Sequence, residues 1–236
     1  MLKYKELANE IERFIQKENM TQGDKLPNLD ELAVLFGSNK STIRRSLKIL
    51  ESRGCVYRLH GSGIFVRTLN VDGYINVGFH RGFLKTPETH QIEKQILEIQ
   101  TETPPRQVAN YLNIEASETV HFVKRLVVID GKPLAIEETY FITSVVPHLD
   151  EEIVASSIFR HVREDLKLKM AFSDSYLHVD KLSEEEADFL QLEIGDPRPC
   201  SIKTFYLANG QPFNHSQTIF NYKEAKFFIQ DYLEKD

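Results

Sequence analysis

The chain has 236 residues, of which 41% are hydrophobic and 27% are charged, and its formal net charge is −6. This composition is typical of a soluble globular protein, and the length favours two domains. No apolar run approaches the ~20 residues that a membrane-spanning helix needs, and the first residues lack the apolar core of a secretion signal. We therefore expect a cytoplasmic protein without membrane contact, in which Cys55 and Cys200 are buried thiols.

The charge is distributed unevenly along the chain. Residues 1–69 contain 12 Lys and Arg against 8 Asp and Glu, which gives +4, whereas the remaining residues contain 17 against 27, which gives −10. A basic head before an acidic body favours a polyanionic partner for the head, although the overall charge alone argues against one.

The head begins with two stretches of helical periodicity. Apolar residues at helical spacing predict an amphipathic helix at 4–18 and a second, shorter helix that follows Asn28. Asn28 and Glu31 form a capping-box pattern, and the segment 23–27 separates the two helices. A Gly-Ser turn at 37–38 leads into a third helix, so the arrangement is a helix-turn-helix.

The third predicted helix, 39–50, has two unlike faces and Asn39 as its N-cap. Its apolar stripe contains Ile43, Leu47 and Leu50. The other sides carry hydroxyls and cations, which are the groups that contact phosphates and base edges in a DNA groove. These residues are Ser41, Thr42, Arg44, Arg45 and Lys48. The alternative is an ordinary amphipathic helix whose polar face is only solvated.

Two short strands are predicted after this helix, at 55–59 and 64–67. Between them His60-Gly-Ser-Gly63 predicts a narrow hairpin tip, at which the backbone can approach a groove closely. Arg58, His60 and Arg67 place hydrogen-bond donors nearby. A helix-turn-helix followed by such a ribbon is the winged form, although a glycine-rich hairpin alone is often only a turn.

The motifs of the head resemble those of the GntR family of bacterial transcription regulators. They are Gly23-Asp-Lys-Leu-Pro27, Ser41-Thr-Ile-Arg44, Leu47 with Leu50, and Gly61-Ser-Gly-Ile-Phe-Val66, and they cover about the first 67 residues. The resemblance implies a winged helix-turn-helix domain that binds double-stranded DNA at the bacterial nucleoid. It implies DNA contacts at Lys40, Ser41, Thr42, Arg44, Arg45 and Gly61, and Arg58 and His60 are further candidates.

Two positions depart from the family pattern. The family usually has Ser-Glu-Arg after Leu-Pro, with its Arg on DNA, whereas this chain has Asn28-Leu-Asp30. The family also tends to have Ser-Arg where this chain has Asn39-Lys40, and lysine keeps the charge but loses the guanidinium fork. The resemblance therefore leaves the operator sequence open.

Beyond a polar linker at 70–76 the pattern changes to mixed helices and strands. Asp-Gly at 130–131 and Asn-Gly at 209–210 each separate two β-rich runs, which predicts two hairpins. Their strands are 120–129 with 133–141 and 198–207 with 212–220. Helices are predicted from Pro104-Pro105 through Leu112 and from Ser183, which begins a second capping-box pattern.

We therefore expect an α+β protein with two domains. The first is the winged helix-turn-helix domain, at 1–69. The second is a domain on an antiparallel sheet, at 77–236.

No catalytic or metal-binding pattern is visible in the body. Its histidines lack the spacing of zinc ligands, and no phosphate loop or nucleophile elbow is present, so we expect no metal, no cofactor and no enzyme activity. Arg125 and Glu137 are expected to face each other on neighbouring strands. That arrangement fits a structural ion pair and a ligand-binding pair equally well.

The body is similar to the effector-binding UTRA domain that marks the HutC branch of the GntR family. The similarity covers about residues 75–234 and rests on 125–137, Val146-Pro-His-Leu149, Gly195-Asp-Pro197 and 209–216. It implies a chorismate-lyase-like fold, and an effector that is most readily a sugar or sugar phosphate, as in trehalose-operon and amino-sugar regulators. The implied pocket residues are Gly82, Phe83, Arg125, Glu137 and Asn214.

The pocket also departs from sugar-phosphate-responsive relatives. Val127 stands where a second Arg is frequent, and Ala171 stands where a hydroxyl residue helps to hold the phosphate. A phosphorylated effector then needs backbone amides together with Lys85 or Lys124.

The function that these expectations support is a homodimeric, ligand-responsive repressor that binds a palindromic operator and is released by a small metabolite. Two alternatives remain. One is a lyase-like enzyme fused to a DNA-binding head, and the other is a constitutive DNA-binding protein with a degenerate pocket.

Overall fold

The computed structural model describes residues 3–67, 74–76 and 91–229. The chain divides into two compact units, Met1–Pro87 with Phe227–Asp236 and Glu88–Lys226. The predicted pocket residues Gly82 and Phe83, and the candidate cation Lys85, lie outside the described residues. The domain boundaries at 69 and 77 stay a prediction.

The first unit contains the predicted helices and ribbon. Helices α1, α2 and α3 are Lys3–Lys17, Leu29–Leu35 and Lys40–Ser52, and strands β1, β2 and β3 are Val56–Leu59, Gly63–Val66 and Ile75–Asn76. Strand β3 falls in the segment predicted as a linker. A strand of two residues has no periodicity, so no pattern in the sequence could reveal it.

Side-chain caps fix where α2 and α3 begin. Asn28 Oδ1 accepts hydrogen bonds from the backbone N–H groups of Asp30 and Glu31 at 2.9 and 3.0 Å, and Glu31 Oε2 accepts from the Asn28 N–H at 2.7 Å. Asn39 Oδ1 accepts from the Thr42 N–H at 2.8 Å. Both predicted caps are confirmed, and they satisfy backbone donors that a helix leaves open at its start.

The apolar stripe of α3 faces the core, as its periodicity predicts. Its three residues are fully buried: Ile43, Leu47 and Leu50. Polar contacts also join α1 to α3. The Ser46 hydroxyl donates to the Tyr4 carbonyl at 2.8 Å, and the Arg53 guanidinium donates to the buried Glu12 carboxylate at 3.0 Å. These contacts fix the orientation of α3, and therefore the direction in which its polar face points.

The ribbon consists of β1 and β2, which pair antiparallel with Leu59 opposite Gly63 near the tip. Gly61 and Gly63 have φ angles of +74° and +128°, which strongly favour glycine. A Cβ atom on Gly63 would lie only 2.8 Å from Lys25 Cε. The predicted hairpin is confirmed, and its backbone requires these two glycines.

The second unit is built on one antiparallel sheet. Its strands are β4 Ile92–Glu102, β5 Val120–Ile129, β6 Lys132–Ile142, β7 Met170–Lys181, β8 Pro197–Leu207 and β9 Pro212–Phe220, in the order β4-β5-β6-β9-β8-β7. Its helices are α4 Arg106–Leu112, α5 Glu151–Ala155, α6 Ile158–Glu164 and α7 Glu184–Leu190. A last strand, β10 at Phe227–Phe228, belongs to the first unit and pairs parallel with β3.

Both predicted hairpins are confirmed. Strand β5 turns into β6 through Asp130 and Gly131, whose φ angles of +50° and +79° suit the tight turns that join antiparallel strands. Strand β8 pairs with β9 across the Asn-Gly turn. The capping box at Ser183 and Glu186 is present at the start of α7.

Helices lie on both faces of this sheet. The face that we name the α5 face packs against α5 and α6 through a cluster that includes Phe141, Phe205 and Phe213. The opposite face packs against α7 through Ile136 and Ile219. This layered arrangement confirms the α+β architecture.

The buried His215 should make the stability of the second unit depend on pH. Its ring stacks on Tyr111 with centroids 4.5 Å apart, Nδ1 lies 3.0 Å from Thr204 Oγ1, and burial lowers its pKa to about 4. Below pH 6.5 the unfolded chain binds a proton that the folded chain excludes. The free energy of unfolding should therefore fall by about 2 kcal/mol between pH 7.5 and 5 through this residue.

Urea unfolding at both pH values tests this contribution in His215→Gln. The variant should lose about that much pH dependence, whereas His148→Gln, which removes an exposed histidine, should retain it. Equal pH dependence in His215→Gln and the unmodified chain would contradict the expectation.

Candidate nucleic-acid interface and effector site

The polar face of α3 is open to solvent. We name its exposed residues the cationic face of α3, and they are Ser41, Arg44, Arg45 and Lys48. Thr42 is half-buried, and its hydroxyl donates to Asn39 Oδ1 at 3.0 Å, so that hydroxyl can accept but not donate a further hydrogen bond. The structure thus brings together the hydroxyl and guanidinium groups that the sequence assigned to one face.

Lys40 forms an ion pair with Asp30 across the turn between α2 and α3. These are the two positions at which the chain departs from the family pattern, and their contact was not predicted from the sequence. Both side chains are exposed, and an exposed pair contributes about 1 kcal/mol at most, so a phosphate can compete for Lys40. Asp30 nevertheless neutralises a cation at the edge of the cationic face of α3.

In the wing, which consists of β1, β2 and the turn between them, Arg58 contacts α3 and the tip is exposed. Arg58 Nε lies 3.1 Å from Glu51 Oε2, which ties the start of the wing to the end of α3. His60 and Gly61 are exposed at the tip. Of the predicted wing contacts, the tip residues are the accessible ones, and Arg58 is held against α3.

Arg125 and Glu137 are paired as predicted, on the α5 face of the second unit. They are directly opposite on β5 and β6, and Arg125 Nη2 lies 2.7 Å from Glu137 Oε2. Arg125 Nη1 donates to the Val154 carbonyl of α5 at 2.9 Å. Arg125 is only 8% exposed, and its Nε has no hydrogen-bond partner among the described residues.

Lys94 on β4 brings a second cation to the same carboxylate. Its Nζ lies 4.0 Å from Glu137 Oε2, and both side chains are largely buried. Burial lowers the pKa of Lys94; Glu137 opposes that shift, and Arg125 adds to it. Lys94 was not among the residues predicted from the sequence. The alternation of Ile92, Lys94 and Ile96 was the available signal.

Lys203 on β8 points to the same face. Residues directly opposite on antiparallel strands share a face, and the register places Lys203 opposite Ser216, which is itself opposite Thr139 on β6. Thr139 is two residues from Glu137 along β6, so it also lies on the α5 face. Burial lowers the pKa of Lys203.

The α5 face therefore has an excess of positive charge. Among the described residues of β4, β5, β6, β9 and β8, its buried or half-buried cations are Lys94, Arg125 and Lys203, and its carboxylate is Glu137. His121 adds no charge at neutral pH, because burial lowers its pKa below 6.5. Two largely buried cations, Lys94 and Arg125, share the single carboxylate of Glu137, which leaves an excess of positive charge in a poorly solvated place and favours an anionic ligand.

Asn214 contributes a buried acceptor to this face. It is fully buried, and its Nδ2 donates to Thr139 Oγ1 at 2.7 Å and to the Tyr140 carbonyl at 2.9 Å. Its Oδ1 has no hydrogen-bond partner among the described residues. An unpaired buried oxygen is costly, so it is a suitable acceptor for a ligand hydroxyl.

Lys124 does not belong to this site, and its suggested role as a phosphate partner is wrong. It follows Val123 and precedes Arg125 on β5, so its side chain points to the opposite face, where Nζ lies 2.6 Å from Glu185 and 3.4 Å from Glu138. Alternation along the strand excludes it. Val127 is fully buried on the α5 face, and Ala171 is exposed on the edge strand β7.

The described part of the chain contains no group of three His, Cys, Asp or Glu residues that could hold a metal ion. No helix in that part is long and apolar enough to cross a membrane. The candidate sites therefore consist of hydrogen-bonding and charged side chains.

Comparison with known proteins places both units in families. Residues 3–66 match the model for bacterial regulatory proteins of the gntR family, and residues 88–226 match the UTRA domain. The uncharacterized HTH-type transcriptional regulator YydK of Bacillus subtilis is 43% identical, over 98% of each chain. The YydK crystal structure superposes with a TM-score of 0.86, at 42% identity over 98% of this chain and 100% of that one.

More distant relatives are also regulators. The HTH-type transcriptional regulator GmuR of Bacillus subtilis is 26% identical over 97% of each chain. The mannosyl-D-glycerate transport/metabolism system repressor MngR of Escherichia coli is 25% identical over 96% of this chain and 94% of its own. The exposed cationic face of α3, the wing beside it and these matches lead to one conclusion: the chain belongs to the GntR family of bacterial transcription regulators, in the HutC branch that carries a UTRA domain.

Proposed function

We propose that this regulator is a repressor that binds a palindromic operator as a homodimer and releases it when an anionic sugar derivative binds the α5 face. The observation that supports the effector class is that two largely buried cations, Lys94 and Arg125, share the single carboxylate of Glu137. The proposed effector residues are Lys94, Arg125, Glu137, Lys203 and Asn214, together with Gly82 and Phe83 from the resemblance.

The DNA-binding part of the proposal assigns a role to each exposed group of the head. Arg44 and Arg45 contact phosphates or guanines, because a guanidinium fork suits both. Ser41 and Thr42 contact phosphates near the start of α3, whose N-terminal end favours anions. Gly61 lets the wing backbone approach the groove, and His60 adds a donor. Lys40 joins these contacts when phosphate displaces it from Asp30.

The effector part of the proposal follows from charge. A phosphate monoester carries about −1.5 to −2 at neutral pH, so it can compensate the positive charge that Glu137 leaves on Lys94 and Arg125. Glu137 and Asn214 Oδ1 accept hydrogen bonds from sugar hydroxyls. The relative MngR is named for mannosyl-D-glycerate, a sugar derivative with a carboxylate, which supports an anionic sugar as the ligand class.

Release from DNA requires that the effector favour one arrangement of the two heads over another. Two α3 helices reach successive major grooves only when they are about 34–36 Å apart. A coupling free energy of ~1–3 kcal/mol between effector and operator sites is typical of such regulators.

Arg44→Ala and Arg45→Ala should each weaken operator binding, because each removes a phosphate or base contact. The salt dependence of log K should lose about 0.9 per phosphate contact removed. Fluorescence anisotropy at several salt concentrations measures both effects, on a duplex that the unmodified protein selects from a random library. Arg13→Ala, which removes an exposed cation of α1, is the control. Unchanged affinity in both α3 variants would exclude this helix as the DNA-contacting element.

Asp30→Asn should tighten operator binding, because it removes an anion and frees Lys40 for a phosphate. The expected gain is a few-fold at low salt, with a salt slope steeper by about 0.9. Glu10→Gln removes an exposed carboxylate from α1 and should have a much smaller effect. Weaker binding by Asp30→Asn in the same assay would mean that Asp30 supports the DNA contact instead of competing with it.

Hexose 6-phosphates should raise the thermal stability of the protein more than the corresponding free hexoses. A ligand at 100 times its Kd stabilises by about 2.7 kcal/mol. Arg125→Ala and Lys94→Met should abolish the difference, and Lys132→Ala, which removes an exposed cation at a turn, should preserve it. Stabilisation by a free hexose alone, equal in all variants, would exclude the α5 face as an anion site.

A further inference from the structure

The α5 face has a stripe of polar residues on its interior strands. On β9, Asn214, Ser216 and Thr218 alternate along that face, and Ser201 and Lys203 lie beside them on β8. A sheet face that packs against helices is normally apolar, because the helices remove it from water. Polar side chains suit such a place only when they bind each other or a further molecule.

Ser201 is a buried member of this stripe without a partner. Its neighbours Cys200 and Ile202 pack in the cluster on the opposite face, so alternation turns the Ser201 side chain to the α5 face. Ser201 is only 3% exposed, and its Oγ has no hydrogen-bond partner among the described residues. The other buried hydroxyl residues of the described part of the chain all have hydrogen-bond partners: Ser46, Thr139 and Thr204. A buried hydroxyl without a partner is costly, so Ser201 Oγ is suited to a bound molecule.

The register connects Ser201 to Arg125 through a single row of residues. Ser201 lies opposite Thr218, and Thr218 lies opposite Glu137. Glu137 in turn lies opposite Arg125. At the spacing of neighbouring strands, the row from β5 to β8 is about 14 Å long. The row therefore has an ion pair at one end and hydroxyls at the other.

We propose that the effector lies along this row, with its anionic group over β4 and β5 and its sugar ring over β9 and β8. The inference rests on the proposed function and specifies how the effector is oriented. Lys94 and Arg125 bind the anionic group, because two cations meet at that end. Ser201 and Thr218 bind sugar hydroxyls, since each hydroxyl can both donate and accept.

This orientation makes Ser201 and Thr218 specificity-determining residues. A binding site that makes a hydrogen bond to a ligand hydroxyl strongly rejects an analogue that lacks it, because the buried polar group of the site then stays unpaired. The cations at the other end recognise only the anionic group, which many sugar phosphates share. Discrimination among sugars then depends on the hydroxyl end of the row.

Isothermal titration of the full-length protein tests this assignment. The probes are inorganic phosphate and the 6-phosphates of glucose, mannose, glucosamine and N-acetylglucosamine. Ser201→Ala should weaken the tightest of these hexose phosphates roughly tenfold, the loss of about one hydrogen bond, and leave the Kd of inorganic phosphate unchanged. Thr218→Val, which keeps the side-chain shape without the hydroxyl, should act in the same way. Ser117→Ala, which removes an exposed hydroxyl before β5, is the control.

Thermal melting without ligand separates a binding role from a structural one. Ser201→Ala removes a buried hydroxyl that has no partner, so the melting temperature should stay the same or rise. A lower melting temperature together with an unchanged Kd for the hexose phosphate would show that Ser201 serves only the fold.

The remaining outcomes separate this inference from the proposed function. A protein that binds neither inorganic phosphate nor any of the hexose phosphates overturns the proposed anionic effector, and the orientation with it. Binding of a hexose phosphate that is lost in Arg125→Ala but kept in Ser201→Ala and Thr218→Val overturns the orientation alone. Equal weakening of inorganic phosphate and hexose phosphate by Ser201→Ala would place the anionic group over β8, which also overturns it.

Discussion

Two largely buried cations, Arg125 and Lys94, share the carboxylate of Glu137, and the chemistry of the second unit depends on this unequal arrangement. Removing a cation from water is costly, and a partner carboxylate compensates for it only when the charges match. Here two cations share one carboxylate, so the charges do not match. The lowered pKa values of Lys94 and Lys203 express the same cost. In the proposed function an anionic ligand lowers that cost, and its affinity comes from completing a charge balance that the protein leaves open.

The cations of α3 in the DNA-binding head are in the opposite environment, because they are exposed to water instead of buried. These cations, which are Lys40, Arg44, Arg45 and Lys48, are exposed, so they cost little in the absence of DNA and act through the release of counterions when they meet phosphates. One of them, Lys40, forms an ion pair with Asp30. Asp30 also lies in the first turn of α2, where an acidic side chain stabilises the helix. It therefore stabilises α2 and at the same time reduces the positive charge of the DNA-binding face. The positive charge of the proposed DNA-binding face is thus lower than its cations alone would give.

Much of the secondary structure was predictable from local patterns in the sequence. Capping boxes at Asn28 and Ser183, turn dipeptides at 130–131 and 209–210, and the apolar stripe of α3 each depend on neighbours within a few residues, and each was confirmed. Contacts between distant residues were harder to predict. The pair of Lys40 and Asp30 depends on how α2 meets α3. The alternation of Ile92, Lys94 and Ile96 puts Lys94 on an inward face, but only the register of β4 beside β5 places it next to Glu137. Lys124 was misplaced because the alternation along β5, which turns it away from its neighbour Arg125, was overlooked.

The hydrogen bond from Arg125 to the Val154 carbonyl has a mechanical consequence. Helix α5 has five residues, far fewer than a helix needs to persist alone in water, so it depends on contacts with the sheet. A ligand that draws the Arg125 guanidinium towards itself strains or breaks this bond, and the last turn of α5 loses a donor. Ligand capture and the ordering of this short helix are therefore linked through one side chain. In the UTRA domain a small movement of Arg125 can therefore be transmitted to α5 through this hydrogen bond.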